Sequence, residues 1–91
     1  MTKAVHVIIE GRVQGVWFRG WTIQEARRLS LTGWVRNCSD GSVEAVFCGA
    51  AADVDVMLEM CLQGPSAARV ERVQATPTDD PGVEGFGRGV V

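Results

Sequence analysis

The apolar residues of this chain switch between two spacings, and the order of the switches limits its fold more than any other feature. A spacing of two is typical of strands, and a spacing of three to four is typical of amphipathic helices. Strand spacing covers residues 4–10, 33–37, 42–48 and 68–75, and helical spacing covers residues 19–29 and 51–63. A short glycine-rich strand over residues 86–91 is also predicted.

The order strand–helix–strand–strand–helix–strand is typical of one α+β architecture, the ferredoxin-like βαββαβ two-layer sandwich. In it, two helices cover one face of an antiparallel sheet and leave the other face at least partly open. Asp40-Gly41 predicts the hairpin turn between the second and third strands, because glycine adopts the positive φ that such turns need. Gly64-Pro65 predicts the end of the second helix.

Composition limits the classes of function. The 91 residues carry a net charge of −2, which argues against a nucleic-acid partner, because such proteins usually have a basic stripe. No apolar run approaches the roughly 18 residues of a membrane span, and no signal peptide is evident. The three cysteines form no Cys-x-x-Cys pair and are interpreted as reduced thiols. We expect one domain over residues 1–91, monomeric and cytoplasmic.

The passage from the first strand into the first helix predicts an anion site. The strand ends at Gly11, the chain turns at Gly15, and helical spacing begins near Arg19. Such a turn lines up backbone N–H groups at a helix N-terminus, where anions bind. An arginine at a helix start is unfavourable by roughly 0.3–1 kcal/mol, so a phosphate between the loop amides and Arg19 would remove a local conflict.

Two strings in the chain resemble the acylphosphatase family. Residues 11–19 read Gly-Arg-Val-Gln-Gly-Val-Trp-Phe-Arg, and residues 33–37 read Gly-Trp-Val-Arg-Asn, followed by Asp40-Gly41. The likeness extends over roughly residues 5–76. It implies hydrolysis of small-molecule acyl phosphates to a carboxylate and inorganic phosphate, with no metal and no other cofactor.

The resemblance also implies roles for individual residues. Arg19 matches the family's phosphate-binding arginine, and Asn37 matches its water-positioning asparagine. The cradle for the phosphate matches five loop positions, which are Gln14, Gly15, Val16, Trp17 and Phe18. Ser30 departs from the family, since relatives commonly have glycine at this left-handed helix end, and a serine there should cost about 1 kcal/mol.

Two other functions fit parts of the sequence. The same loop could serve a non-enzymatic anion-binding module, as in acylphosphatase-like domains fused within larger proteins, although Asn37 argues for catalysis. A nucleic-acid-binding ferredoxin-like module would need a basic sheet surface with aromatic residues on its central strands. The first strand carries no aromatic residue, so this interpretation is disfavoured.

Overall fold

The computed structural model describes residues 1–89, in which five strands form one sheet and two helices pack against it. The strands are β1 (Thr2–Arg12), β2 (Thr32–Asn37), β3 (Val43–Ala50), β4 (Arg69–Pro77) and β5 (Phe86–Arg88), and the helices are α1 (Phe18–Arg28) and α2 (Ala51–Gln63). The first six predicted elements are all present, with ends displaced by two residues at most. Of the predicted last strand, Val90 and Val91 lie outside the described residues.

The strand order across the sheet is β4-β1-β3-β2-β5. Strands β4, β1, β3 and β2 pair antiparallel, as predicted, but β5 pairs parallel with β2, so the sheet as a whole is mixed. The direction of β5 follows from β4, which runs opposite to β1 and therefore ends where β1 and β2 begin. The segment 78–85 crosses along that end of the sheet and delivers the chain to the start of β2.

Both helices pack on the same face of the sheet and enclose one core. Helix α1 lies against β2 and β5, and α2 lies against β1, β3 and β4. The core side chains come from alternate strand positions and from one side of each helix, as the spacing predicts. Fully buried members include Val7, Ile9, Val35, Ala45, Phe47, Ala26, Val54, Met57 and Cys61.

Strand β1 runs past Gly11 rather than ending there, which corrects the sequence prediction. The pairing of β1 with β4 shifts register between Glu10 and Gly11, and Gly11 has a φ of +129°. A Cβ at this position would overlap the backbone carbonyl of Arg69. The glycine thus allows a bulge in a continuing strand, and the turn comes only after Arg12.

The other face of the sheet carries polar side chains and is partly covered by the segment 78–85. The Thr78 N–H donates to the Ala4 carbonyl at 3.0 Å, and burial raises the pKa of the Cys48 thiol, with the nearby charge of Asp80 adding to the effect. Among residues 1–89, neither helix has the length and apolar character needed to cross a membrane.

Candidate active site

Of the predicted site residues, Gly15, Trp17, Phe18, Arg19 and Asn37 meet at one end of the sheet. Gln14 instead bonds through its side chain to the β2–β3 hairpin, and Val16 packs against the core. Strands β1, β2 and β5 run in the same direction, so their carboxyl ends lie at the same edge. A cleft of about 160 Å³ opens there between the loop after β1, the start of α1 and the ends of β2 and β5. Its lining residues are Val13, Gly15, Trp17, Phe18, Arg19, Gly20, Asn37 and Arg88.

The loop between β1 and α1 presents backbone N–H groups to this cleft. Gly15 and Trp17 both have left-handed backbone, with φ of +73° and +66°, and no side chain caps the helix. The first helical hydrogen bond joins the Trp21 N–H to the Trp17 carbonyl at 3.0 Å. The N–H groups of Phe18, Arg19 and Gly20 therefore have no partner within the helix, and the first turn contains no acidic residue.

Trp17 has a strained backbone conformation, and its side chain covers the start of the helix. A left-handed backbone costs a residue with a Cβ roughly 1–2 kcal/mol. Its indole lies over Gly20, where a Cβ would overlap the ring. The side chain is 60% exposed, whereas Phe18 is buried and meets Trp21 edge-to-face with ring centroids 5.3 Å apart. The loop thus places one aromatic side chain at the cleft and the next in the core.

Arg19 is the second residue of α1 and lines the cleft. Within residues 1–89 its guanidinium makes no ion pair and no side-chain hydrogen bond. The local conflict seen in the sequence is therefore present in the fold, since a cation sits at the positive end of a helix without a neutralising partner. An anion in the cleft would supply that partner.

Asn37 is the last residue of β2, and its side chain faces the same cleft. Its Oδ1 is buried and accepts no hydrogen bond from residues 1–89, the only buried side-chain nitrogen or oxygen of this range in that condition. A buried acceptor without a donor costs about 1–3 kcal/mol, so such groups in native proteins call for an explanation. A bound water would satisfy this oxygen.

Gln14 connects the loop to the β2–β3 hairpin. Its side-chain amide donates to the carbonyls of Cys38 and Ser42, both at 2.8 Å. With both amide hydrogens used in this way, the donor that Gln14 retains for a ligand is its backbone N–H. The side chain fixes the loop against the residue that follows Asn37, and so couples the two halves of the cleft.

The hairpin itself is the predicted turn at Asp40-Gly41. The Cys38 N–H donates to the Ser42 carbonyl at 2.9 Å, and Gly41 has a φ of +95°. Asp40 accepts from the Ser42 hydroxyl at 2.6 Å and from the Ser42 N–H at 2.9 Å, and these bonds hold the pKa of its carboxyl below the usual range. Cys38 points away from the cleft, toward Glu44.

Arg88 lines the cleft as well, although it is not among the site residues predicted from the sequence. It lies at the end of β5, two positions after the buried Phe86. Strand alternation places residues two apart on the same face, so the pair Phe86 and Arg88 was a signal available in the sequence. What the sequence does not contain is the pairing of β5 with β2, which brings Arg88 beside Asn37.

Comparison with known proteins gives consistent matches over nearly the whole chain. The acylphosphatase family model matches residues 5–87. An acylphosphatase of Rhodospirillum rubrum is 51% identical over 84 residues, covering 92% of each chain. The structure of an acylphosphatase from Coxiella burnetii superposes with a TM-score of 0.93 at 35% identity, over 97% of this chain and 93% of that one. The acylphosphatase from Bacillus subtilis gives 0.92 at 31% identity, over 99% and 100%.

Proposed function

The chain belongs to the acylphosphatase family, and on that premise we propose that it hydrolyses acyl phosphates in the cleft between Arg19 and Asn37. The protein is a hydrolase that splits the carboxyl–phosphate bond. The observation that carries the assignment of the site is the buried Oδ1 of Asn37, which has no hydrogen-bond partner among residues 1–89 and shares its cleft with Arg19, an arginine at a helix start that has no ion pair in this range.

The phosphoryl group is held by Arg19 and by the amides of residues 14–19. A guanidinium can donate two parallel hydrogen bonds to phosphate oxygens, and the loop amides surround the remaining oxygens. These donors are fixed before the substrate binds, because the bonds of Gln14 and the left-handed backbone at Gly15 and Trp17 set the loop. Donors fixed in this way stabilise charge as it redistributes in the transition state.

Asn37 orients the attacking water through its Oδ1, which accepts a hydrogen bond from it. The water oxygen bonds to phosphorus, and the bond from phosphorus to the carboxyl oxygen breaks, with its electron pair leaving on the carboxylate. The water proton passes to a phosphate oxygen, so an acyl phosphate dianion and water give a carboxylate and dihydrogen phosphate. Because the parent acid has a pKa of about 4, the leaving group needs no protein acid.

We also propose where the protein acts and in what oligomeric state. We propose a cytoplasmic, metal-independent monomer that forms one domain over residues 1–91 and acts on small molecules rather than on nucleic acid or membranes. The thiols of Cys38, Cys48 and Cys61 form no disulfide, which supports a reducing compartment. Burial raises the pKa of Cys61 to about 12, so this thiol has little reactivity.

Hydrolysis of benzoyl phosphate in the presence of a chelator tests the site. Arg19→Ala should lower kcat/KM by about 100-fold or more and abolish inhibition by inorganic phosphate. Asn37→Ala should lower kcat by about 100-fold, as expected when the attacking water is no longer oriented, but should keep phosphate inhibition. Arg72 is an exposed arginine on β4, so Arg72→Ala is the control for loss of one charge. Its kcat/KM and its inhibition by phosphate should match those of the native chain.

The results for the two variants distinguish the role of Arg19 from that of Asn37. Normal turnover by a folded Asn37→Ala variant contradicts the proposal that Asn37 orients the water. Unchanged phosphate inhibition of Arg19→Ala contradicts the proposal that Arg19 binds the phosphate. If the folded native chain binds phosphate but has no turnover, the cleft serves anion binding alone.

A further inference from the structure

Arg88 is a second arginine in the cleft. It lies on β5, which is far in sequence from the loop between β1 and α1. Its Cα is paired with that of Val35 across the parallel β2–β5 ladder. Val35 is fully buried on the helix face of the sheet, and Asn37 follows it on the same face. Arg88 therefore stands beside the side-chain row that ends in Asn37.

Strand β5 is short but firmly held. Phe86 is buried and stacks on Phe47 with centroids 5.4 Å apart. The Arg27 Nε–H donates to the Phe86 carbonyl at 2.9 Å, which ties β5 to α1. On the other side of Arg88, the Gly89 N–H donates to the Val35 carbonyl at 2.8 Å. Anchors on both sides of Arg88 fix its backbone at the cleft.

Within residues 1–89, the guanidinium of Arg88 makes no ion pair and no hydrogen bond that would explain its position. Arg88 also borders a groove of about 530 Å³ on the opposite face of the sheet. Its alternation with Phe86 places the side chain on the helix face, with Arg19 and Asn37.

Two unpaired cations in one small cleft repel each other unless anions lie between or beside them. Under the proposed function, Arg19 and the amides of residues 14–19 hold the phosphoryl group. Arg88 reaches the same cleft from the end of β5 rather than from that loop. We propose that Arg88 binds an anionic substituent on the acyl group, so that the enzyme prefers acyl phosphates whose acyl group carries a negative charge in addition to those of the phosphate. This inference rests on the proposed function.

A matched pair of substrates tests the preference. Benzoyl phosphate and 3-carboxybenzoyl phosphate differ only by a carboxylate on the ring, and 3-carbamoylbenzoyl phosphate gives the same shape without the charge. The native chain should have a higher kcat/KM for the carboxylate than for the carbamoyl compound. In Arg88→Gln this ratio should fall about tenfold, as expected for loss of a charge-assisted hydrogen bond, whereas Arg88→Lys should retain part of it.

The same assay includes a control variant and a result that would contradict the role of Arg88. Arg72→Ala should leave the ratio unchanged, because that side chain lies on β4 at the opposite edge of the sheet. The native preference should weaken as salt is added, since salt screens the interaction. If Arg88→Gln lowers kcat/KM equally for all three compounds, Arg88 is a ligand of the phosphoryl group, and the inference is wrong.

Failure of this inference is distinguishable from failure of the proposed function. A native chain that hydrolyses benzoyl phosphate but shows no preference for the carboxylate overturns the role of Arg88 alone. A folded native chain that hydrolyses none of the three compounds overturns the assigned reaction itself.

Discussion

Gln14 shows how one side chain can join two parts of the proposed site. The loop between β1 and α1 and the hairpin after Asn37 belong to different parts of the chain, and the Gln14 amide joins them through two carbonyls. Each such bond contributes about 0.5–1.5 kcal/mol to stability. Its larger effect is on geometry, because it sets the distance between the loop proposed to hold the phosphate and Asn37, which is proposed to orient the water.

We therefore expect Gln14→Ala to lower both stability and turnover. Loss of two hydrogen bonds should lower the free energy of unfolding by about 1–3 kcal/mol, measured by urea denaturation. Gln14→Glu should lower the free energy of unfolding further, because a carboxylate would face two carbonyl oxygens.

The kinetic part of this prediction separates positioning from folding. At a temperature where Gln14→Ala is fully folded, kcat should still be lower than that of Gln24→Ala, whose side chain is exposed on α1. A native kcat in Gln14→Ala would limit the role of this side chain to stability.

The end of α1 shows an element held in a conformation that its residue does not favour. Ser30 has a φ of +59°, and the bonds around it are those of a Schellman motif. The Leu31 N–H donates to the Ala26 carbonyl at 2.9 Å, and the Ser30 N–H donates to the Arg27 carbonyl at 3.0 Å. The left-handed helix end expected from the resemblance is therefore confirmed, with serine in a position that suits glycine.

Ser30→Gly should stabilise the protein by about 0.5–1 kcal/mol, because glycine relieves the strain of the left-handed backbone. Thermal or urea unfolding measures the gain, and turnover should not change, since Ser30 does not line the cleft. Ser30→Ala is the matched control. It removes the hydroxyl but keeps the Cβ, so a gain as large as that of glycine would disprove the strain argument.

The two faces of the sheet differ in chemical character. The helix face holds the core and opens at one edge into the cleft. The other face holds a charge network, in which Glu44 accepts from His6 and from Arg36, both at 2.6 Å. Burial alone would raise the pKa of Glu44, but these partners outweigh it and hold the pKa below the ordinary value of 4.5.

This network predicts a pH dependence of stability. A carboxylate whose pKa is lowered by folding stabilises the native state above its unfolded pKa, and the contribution is lost as the pH falls through the folded pKa. Glu44→Gln should therefore be less stable than the native chain at neutral pH, by about 1 kcal/mol for a partly exposed network. The difference should shrink below pH 4.5. Urea denaturation at several pH values measures it, and a difference that persists unchanged in acid would contradict the prediction.

Local sequence patterns were enough to predict the helices, the strands and the two motif strings. Alternating apolar residues specified the strands and the buried sides of both helices, and Asp40-Gly41 specified the hairpin, because these signals depend on neighbours within a few residues. The same local information placed Arg19 at a helix start and Asn37 at a strand end. The roles of both residues in catalysis stay predictions.

Contacts between residues distant in the chain became evident only in the folded protein. The parallel pairing of β5 with β2, the bonds from Gln14 to the hairpin and the network around Glu44 all join residues that are distant in the chain. Periodicity indicates which side of an element is buried, but it does not specify which strand becomes the neighbour. That choice depends on the path of the segment 78–85 across the end of the sheet, and it is this path that brings Arg88 to the cleft.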